Sequence, residues 1–492
     1  DRIKSKLTET DFLVFALFSR TSSEAESVGI QQQQIDFVRE VSSSFSKPTL
    51  LISFGSPYIA SDFDFIDDHI SAYAYSTIMQ SAAADAVGGL YPISGKTPVA
   101  VPRINEDHEY YFNSNKAVSS DLLSTQAKVK IDLLLTQSIA DSVFPGATIS
   151  IGSADTIYYQ NGYGHFTYDK NSPPVQAETR YDLASLTKVF ATTISIMKLI
   201  DRYQIRLDNT LADLFPEYIN SQEKKDITVA QLLTHSSGQV AYKHYFETVK
   251  SKEEMYQAIF AEPLIYKPGT QTVYSDLGFI LLMRAVETIT GKSLDQFVKE
   301  TFYEPMNLAA IGFLPKEKRL IPPTEAVEWR GHMAQGEVHD ENAMSIGGVS
   351  GHAGLFANVQ SLSAICQLLL KKGVYNGKRY LSTTVIDLFT QKAGVDSLSD
   401  RGFGWDKPSA ISGAGKYISD QAFGHYGFTG TTVWVDPTND VFIIHLSNRV
   451  YPTRNNIKIR KFRPVFYNLV MEQLGKTKFR ESYQKAMEKA DN

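Results

Sequence analysis

Ser185 and Lys188 stand three residues apart in the largely apolar run Tyr181-Asp182-Leu183-Ala184-Ser185-Leu186-Thr187-Lys188-Val189-Phe190. Residues three apart on a helix share a face. A neutral lysine there can take the serine proton, which makes the oxygen a nucleophile toward an amide or ester. Spacing alone selects nothing, because Ser44/Lys47, Ser195/Lys198, Ser221/Lys224 and Ser482/Lys485 repeat it.

An acyl-transferring serine also needs a proton shuttle to the leaving group and donors for the developing oxyanion. Tyr274-Ser275-Asp276 offers a phenol just after the turn Lys267-Pro268-Gly269-Thr270, where a helix is expected to open at Leu277. A tyrosine pKa is about 10, and a nearby lysine cation would lower it. Later, His425-Tyr426-Gly427 leads into an expected strand, where glycine lets a substrate backbone come close. The amide of Phe428, the next residue, can pair with that of Ser185 to hold an oxyanion. The chain has no G-x-S-x-G turn, so an α/β-hydrolase reading has no anchor.

Other polar residues are weaker candidates. His352, in the glycine-rich loop Gly347 to Phe356, could reach a cleft or simply brace its loop. His235 reads as structural. His332, His339 and Asp340 match no zinc spacing, so no metal is assigned and no cofactor is expected. Asp62, Asp64, Asp67, Asp68 and His69 read as a solvated loop, and Gly162-Tyr163-Gly164 as a turn.

These residues need elements to hold them. At 492 residues the chain exceeds one core, so two or three domains are expected. Phe12–Phe18, Thr49–Phe54 and Ile70–Tyr75 read as strands alternating with helices at Gln31–Ser43 and Met79–Val87. That pattern predicts an α/β domain over 1–103, a mostly parallel sheet flanked by helices. Residues 104–118 are polar and form the expected linker. Residues 119–492 mix expected strands near Ala147–Ile151, Ala154–Tyr159, Thr431–Val435 and Val441–Leu446 with many helices, an α+β pattern. The helix carrying Ser185 is expected to run to Tyr203, and a last helix from Lys458 to Leu474.

Net charge is −5, which points away from nucleic acid and anionic membranes. The basic cluster Lys458 to Arg463 reads as a solvated helix face. The one cysteine, Cys366, lies in an apolar run and reads as a buried thiol. No apolar run is long enough for a membrane span. A start at Asp1 without a signal peptide suggests a mature or trimmed product.

The ordered set Ser185-Leu186-Thr187-Lys188, Tyr274-Ser275-Asp276 and His425-Tyr426-Gly427 resembles the three motifs of penicillin-recognising serine enzymes. The resemblance is to the class C β-lactamase, DD-peptidase and esterase branch, over about residues 119 to 475. It is supported by Leu232 to Gly238, Gly347 to Phe356 and Asn448 to Pro452. It implies a β-lactamase-like domain with an antiparallel sheet, helices on both faces and a helical subdomain. It also implies Ser185 as the acylated nucleophile, Lys188 as base or tuner of the base, Tyr274 as shuttle, and Ser185 and Phe428 amides as the oxyanion hole. Asp276, His425, Gly427 and His352 would contact substrate. Asp276 stands where many members have Asn, and His425 where class A and C β-lactamases have Lys. Histidine is neutral about half the time near neutral pH, so a peptidase, amidase or esterase is implied over an efficient β-lactamase.

The first domain resembles the C-terminal domain of glycoside hydrolase family 3, through Phe54 to Tyr58, Gly88-Gly89 and Ile93 to Pro102. The barrel bearing that family's nucleophile is missing. The resemblance implies a longer N-acetylglucosaminidase fusion whose remaining part cleaves no glycosidic bond. Together the two resemblances imply a small-molecule or muropeptide substrate and a bacterial cell-envelope location, periplasmic or exported. The alternative is a catalytically weak binding or scaffold module serving an upstream β-N-acetylhexosaminidase. The sequence does not set the oligomeric state.

Overall fold

The computed structural model describes residues 13–18, 30–45, 47, 49–54, positions scattered between 62 and 83, and 123–490 except 396–399 and 410–411. The chain divides into two compact units, Asp1–Val118 and Ser119–Asn492. The expected linker at 104–118 lies outside the described residues, as does most of the helix expected at Met79–Val87.

In the first unit, β1 (Leu13–Phe18), β2 (Thr49–Phe54) and β3 (Asp68–Ala72) pair in parallel in that order, with α1 (Gln32–Ser43) between β1 and β2. Every residue of β2 is buried. Leu51 packs with Val38, Phe63 and Ile66, while Leu50, Ile52 and Phe54 pack with Ala72 and Ala83. Successive strand side chains point to opposite faces. Both faces of β2 are therefore covered, which is why Thr49–Phe54 is apolar without alternation. β1, at the sheet edge, alternates between half-buried and exposed.

The second unit is built on a five-stranded antiparallel sheet. Its strands are β4 (Gly146–Gly152), β5 (Ile157–Gly164), β6 (Phe423–Tyr426), β7 (Thr432–Asp436) and β8 (Val441–Ser447), in the spatial order β6-β7-β8-β4-β5. Strands near both ends of the unit thus meet in one sheet. One face buries Ile149, Ile151 and Ile443 against α2 (Thr125–Ala140) and α6 (Ile459–Gln473), through Ile131, Leu135, Phe462 and Phe466. The other face buries Phe442 and Ile444 against the helical part of the chain, including α3 (Ile194–Asp201), α4 (Asp276–Thr290) and α5 (Val359–Leu370).

Several boundaries differ from expectation. The strand expected at Ala154–Tyr159 lies at Ile157–Gly164 and takes in Gly162-Tyr163-Gly164, read as a turn, because these residues pair with β4. The strand expected at Ile70–Tyr75 lies at Asp68–Ala72, so Asp68 and His69 pair with β2 and are not loop. Ser185 precedes its helix and lies in a turn; a π-helical stretch, Lys188–Thr193, then runs into α3. Such stretches often mark functional positions. A further helix, Glu481–Ala490, follows α6. The hairpin turn expected between β7 and β8 is present: Asp436 accepts the N–H groups of Thr438 and Asn439.

Candidate active site

The turn that presents Ser185 is clamped from a distance. The strand Tyr181–Asp182 pairs with Leu355–Ala357, and Leu183 N–H donates to the Leu355 carbonyl at 2.9 Å. Ala184 then adopts φ 47°, a left-handed conformation uncommon for a residue with a Cβ. The buried Asp182 carboxylate accepts the N–H of Ala184 at 2.8 Å and that of His339 at 2.6 Å. Burial raises its pKa despite those bonds.

Three side chains converge beyond this turn. Tyr274 donates its hydroxyl to Ser185 Oγ at 2.8 Å, and Lys188 Nζ donates to the same oxygen at 3.0 Å. Lys188 is fully buried. It also donates to the His352 carbonyl at 3.2 Å and pairs with Asp276 Oδ1 at 2.7 Å. Burial lowers its pKa, but Asp276 and then Tyr274 more than offset this and hold it above the ordinary lysine value. For Tyr274 the balance runs opposite to the sequence expectation. Burial raises its pKa, and the lysine beside it only partly offsets that rise. The resting cleft thus holds an ammonium and a phenol.

The loop from β6 to β7 is strapped to the segment that leads into Ser185. Thr429 and Thr431 donate their hydroxyls to the carbonyls of Asp182 (2.8 Å) and Leu183 (2.9 Å), and Gly427 N–H donates to Thr431 O at 2.8 Å. A Cβ on Gly427 would run into Thr431 Oγ1 and lie 2.5 Å from the Leu183 carbonyl, so only glycine fits. Among the described residues the backbone amides of Ser185 and Phe428 donate to nothing, which leaves both free for an oxyanion.

Two histidines back Tyr274. His235 Nδ1 accepts the Ser275 N–H at 3.0 Å, and its ring lies 4.5 Å from that of Tyr274. His425 lines the cleft; its Nδ1 lies 2.9 Å from the Tyr426 carbonyl, which assigns the proton there and leaves Nε2 as a lone pair. Burial, then Lys188 and Arg401, hold the His425 pKa well below the usual range. At neutral pH it is neutral, not half-charged, and cannot replace a lysine as a charged anchor.

Asp276 and His352 are not among the residues that line the cleft. Asp276 is the first residue of α4 and turns to Lys188. The His352 ring lies 2.8 Å from both Ser350 Oγ and Asp340 Oδ1. Despite burial, His352 and the Ala343 N–H hold the Asp340 carboxyl well below its ordinary value. Ligand atoms of Asp276, Asp340 and His352 lie within 4.8 Å of one another, yet the positive charge on Asp276 is Lys188. His332 and His339 go elsewhere, to Glu337 and Glu325.

The cleft holds about 380 Å³, within the range of small-ligand sites, and Ser185, Tyr274, His425 and Gly427 line it. Sequence reasoning missed its arginines. Arg401 lies over the Tyr274 ring at 5.4 Å and pairs with Asp406. Arg460 and Arg463 line the cleft from the first turns of α6, where the basic cluster was expected to be a solvated face.

Residues 131–463 match the family model described as Beta-lactamase. A relative from Bacillus subtilis (strain 168), named N-acetylmuramyl-L-alanine amidase, is 30% identical over 66% of this chain and 82% of its own length. One from Escherichia coli (strain K12), named provisionally as a D-alanyl-D-alanine carboxypeptidase, is 31% identical over 65% of this chain and 82% of its own length. Among solved structures, the octameric penicillin-binding protein homologue from Pyrococcus abyssi superposes with a TM-score of 0.55 at 20% identity, covering 74% of this chain and 81% of that one, and so shares the fold. With well over half its length in that match, the chain belongs to the Beta-lactamase family and is a serine hydrolase.

Proposed function

We propose that the chain cleaves an amide of a cell-wall muropeptide through an acyl-enzyme on Ser185. The observation that carries this reading is the convergence of Tyr274 and Lys188, at 2.8 and 3.0 Å, on the one oxygen of Ser185 beside two unengaged amides. Tyr274 first releases its proton to solvent, and the charged Lys188 favours the phenolate so formed. Ser185 Oγ then attacks the carbonyl as that phenolate takes the serine proton. The amides of Ser185 and Phe428 hold the oxyanion. The C–N bond then breaks, the amine leaves with a proton delivered through Tyr274, and water hydrolyses the ester on Ser185.

Several observations favour this substrate. The relatives' names describe amide-cleaving activities on D-alanyl-D-alanine and N-acetylmuramyl-L-alanine. The resemblance of the first unit to the C-terminal domain of glycoside hydrolase family 3 supports a fusion with an N-acetylglucosaminidase and a periplasmic or exported location. A neutral His425 favours a peptide amide over a β-lactam.

The direct test is a fluorophosphonate adduct mapped by mass spectrometry, run beside hydrolysis of purified muropeptides. An adduct on Ser185 with release of peptide is expected. No adduct and no hydrolysis would overturn the reading.

A pH profile tests the division of labour. Asp276→Asn removes the carboxylate that keeps Lys188 charged, so Lys188 loses its proton at lower pH. If the ammonium is the working form, the alkaline limb of kcat/KM moves to lower pH. A shift of the acid limb instead would make neutral Lys188 the base.

A further inference from the structure

His339 touches both halves of the oxyanion hole. Its backbone N–H donates to Asp182 Oδ2 at 2.6 Å. The other oxygen of that carboxylate accepts the N–H of Ala184 at 2.8 Å, one residue before Ser185. The His339 ring stacks on that of Phe428, with centroids 5.5 Å apart and planes 29° apart. Each line of contact ends beside an amide that, among the described residues, is free for an oxyanion. His339 is itself held firmly. Arg330, whose side chain is almost wholly buried, donates to the carbonyls of Val338 (2.6 Å) and His339 (3.0 Å). His339 Nε2 lies 2.8 Å from Glu325 Oε2, and both side chains are buried. Glu325 in turn accepts the backbone N–H and the Nε of Arg454, each at 2.6 Å.

Burial raises the Glu325 pKa, but His339 and then Arg454 more than offset this and hold it down to about 2. A carboxylate accepts only, so it places the donated proton on Nε2 and fixes the plane of the imidazole. Phe428 needs such a neighbour. Its side chain is 47% exposed, so the core does not fix it. Among the described residues His339 is its one aromatic contact, and the Arg449 guanidinium lies over the same ring at 4.6 Å. Arg449 Nε also donates to the Phe428 carbonyl at 2.9 Å. The stacked ring sets the direction of Cβ, and Arg449 sets that of the carbonyl carbon. With two substituents of a tetrahedral Cα fixed, the nitrogen has one place left, and the N–H points with it. Such aim matters, because a displacement near 1 Å in an active site can cost about 10²-fold in rate.

We infer that His339 is a positioning residue for the oxyanion hole: its backbone steadies the Ser185 amide, and its ring, oriented by Glu325, aims the Phe428 amide. This rests on the acyl-Ser185 reading and adds a residue to the same chemistry.

A side-chain substitution keeps the backbone N–H, so it reads the ring alone. His339→Gln keeps a nitrogen that can reach Glu325 but has no ring; His339→Phe keeps a ring but not the hydrogen bond. The full chain is assayed on p-nitrophenyl acetate and its thiono analogue. Sulfur accepts hydrogen bonds poorly, so the oxo-to-thiono ratio of kcat/KM reports on the oxyanion donors themselves. His339→Gln should lower kcat/KM of the oxo ester by about 10- to 100-fold, approaching the loss of one donor, and that of the thiono ester by less than about threefold. His339→Phe should recover most of this, because stacking does not need the proton on Nε2. Phe428→Leu removes the same stack from a half-exposed position and should compress the ratio likewise, which keeps the test open if His339→Gln does not fold. An equal fall on both esters, or a His339→Gln variant closer to wild type than His339→Phe, would overturn the role of the ring. If fluorophosphonate still labels Ser185 in the wild-type chain, that outcome spares the hydrolase. Absence of labelling in the wild-type chain would overturn both.

Discussion

Ser185→Ala will lower turnover of every amide and ester substrate by about 10⁴-fold or more, the scale seen when a hydrolase loses its nucleophile. The protein will stay folded. Ser185 is half-buried and gives up one oxygen. That oxygen accepts from both Tyr274 and Lys188, but Lys188 keeps Asp276 at 2.7 Å and the His352 carbonyl at 3.2 Å. No buried charge is orphaned, so the stability change is on the order of one hydrogen bond, about 1 kcal/mol. Ester turnover, thermal melting and mass spectrometry of the labelled protein check all three points. Wild-type turnover in the variant would place the nucleophile elsewhere.

Gly427→Ala will lower kcat by about 10² to 10³-fold, the effect of losing one oxyanion donor. The new methyl meets Thr431 Oγ1 and the Leu183 carbonyl, 2.5 Å away. These two are bonded to each other, and Leu183 lies two residues before Ser185. Relief of the clash therefore moves the Phe428 amide away from Ser185. Gly291→Ala is the matched control. It sits at φ 67° at the end of α4, with nothing within 4 Å of its added Cβ. It should lose roughly 1 kcal/mol of stability through backbone strain and keep its kcat. Equal kcat losses in both variants would mean that general strain, not the oxyanion loop, sets the rate.

What the sequence disclosed was mostly local. Ser185/Lys188, Tyr274 and Gly427 stood out because each sits in a short patterned segment of its own. The apolar run of β2 and the Asp436–Asp440 turn likewise follow from neighbours along the chain. The misses depend on partners far away in sequence. Ser185 lies ahead of its helix because Asp182 holds Ala184 while also bonding His339, over 150 positions on. The pKa of Tyr274 depends on burial, which outweighs the Lys188 cation beside it and is not written in its own segment of sequence. Arg460 and Arg463 have the spacing of any wet helix face. Only the β6–β7 loop, whose carbonyls accept from Arg463, turns that face into a cleft wall.

The order of strands in the sheet has a consequence for synthesis on the ribosome. Ser185 leaves the ribosome first, and β6, Gly427 and the arginines of α6 follow more than two hundred residues later. At about 5–20 residues per second, translation separates them by some 10 to 50 seconds. Throughout that interval the nascent chain carries Ser185 without β6, Gly427 or the arginines of α6 that line the cleft with it. The cleft is therefore complete only when β6, β7 and β8 have joined β4 and β5 in one sheet.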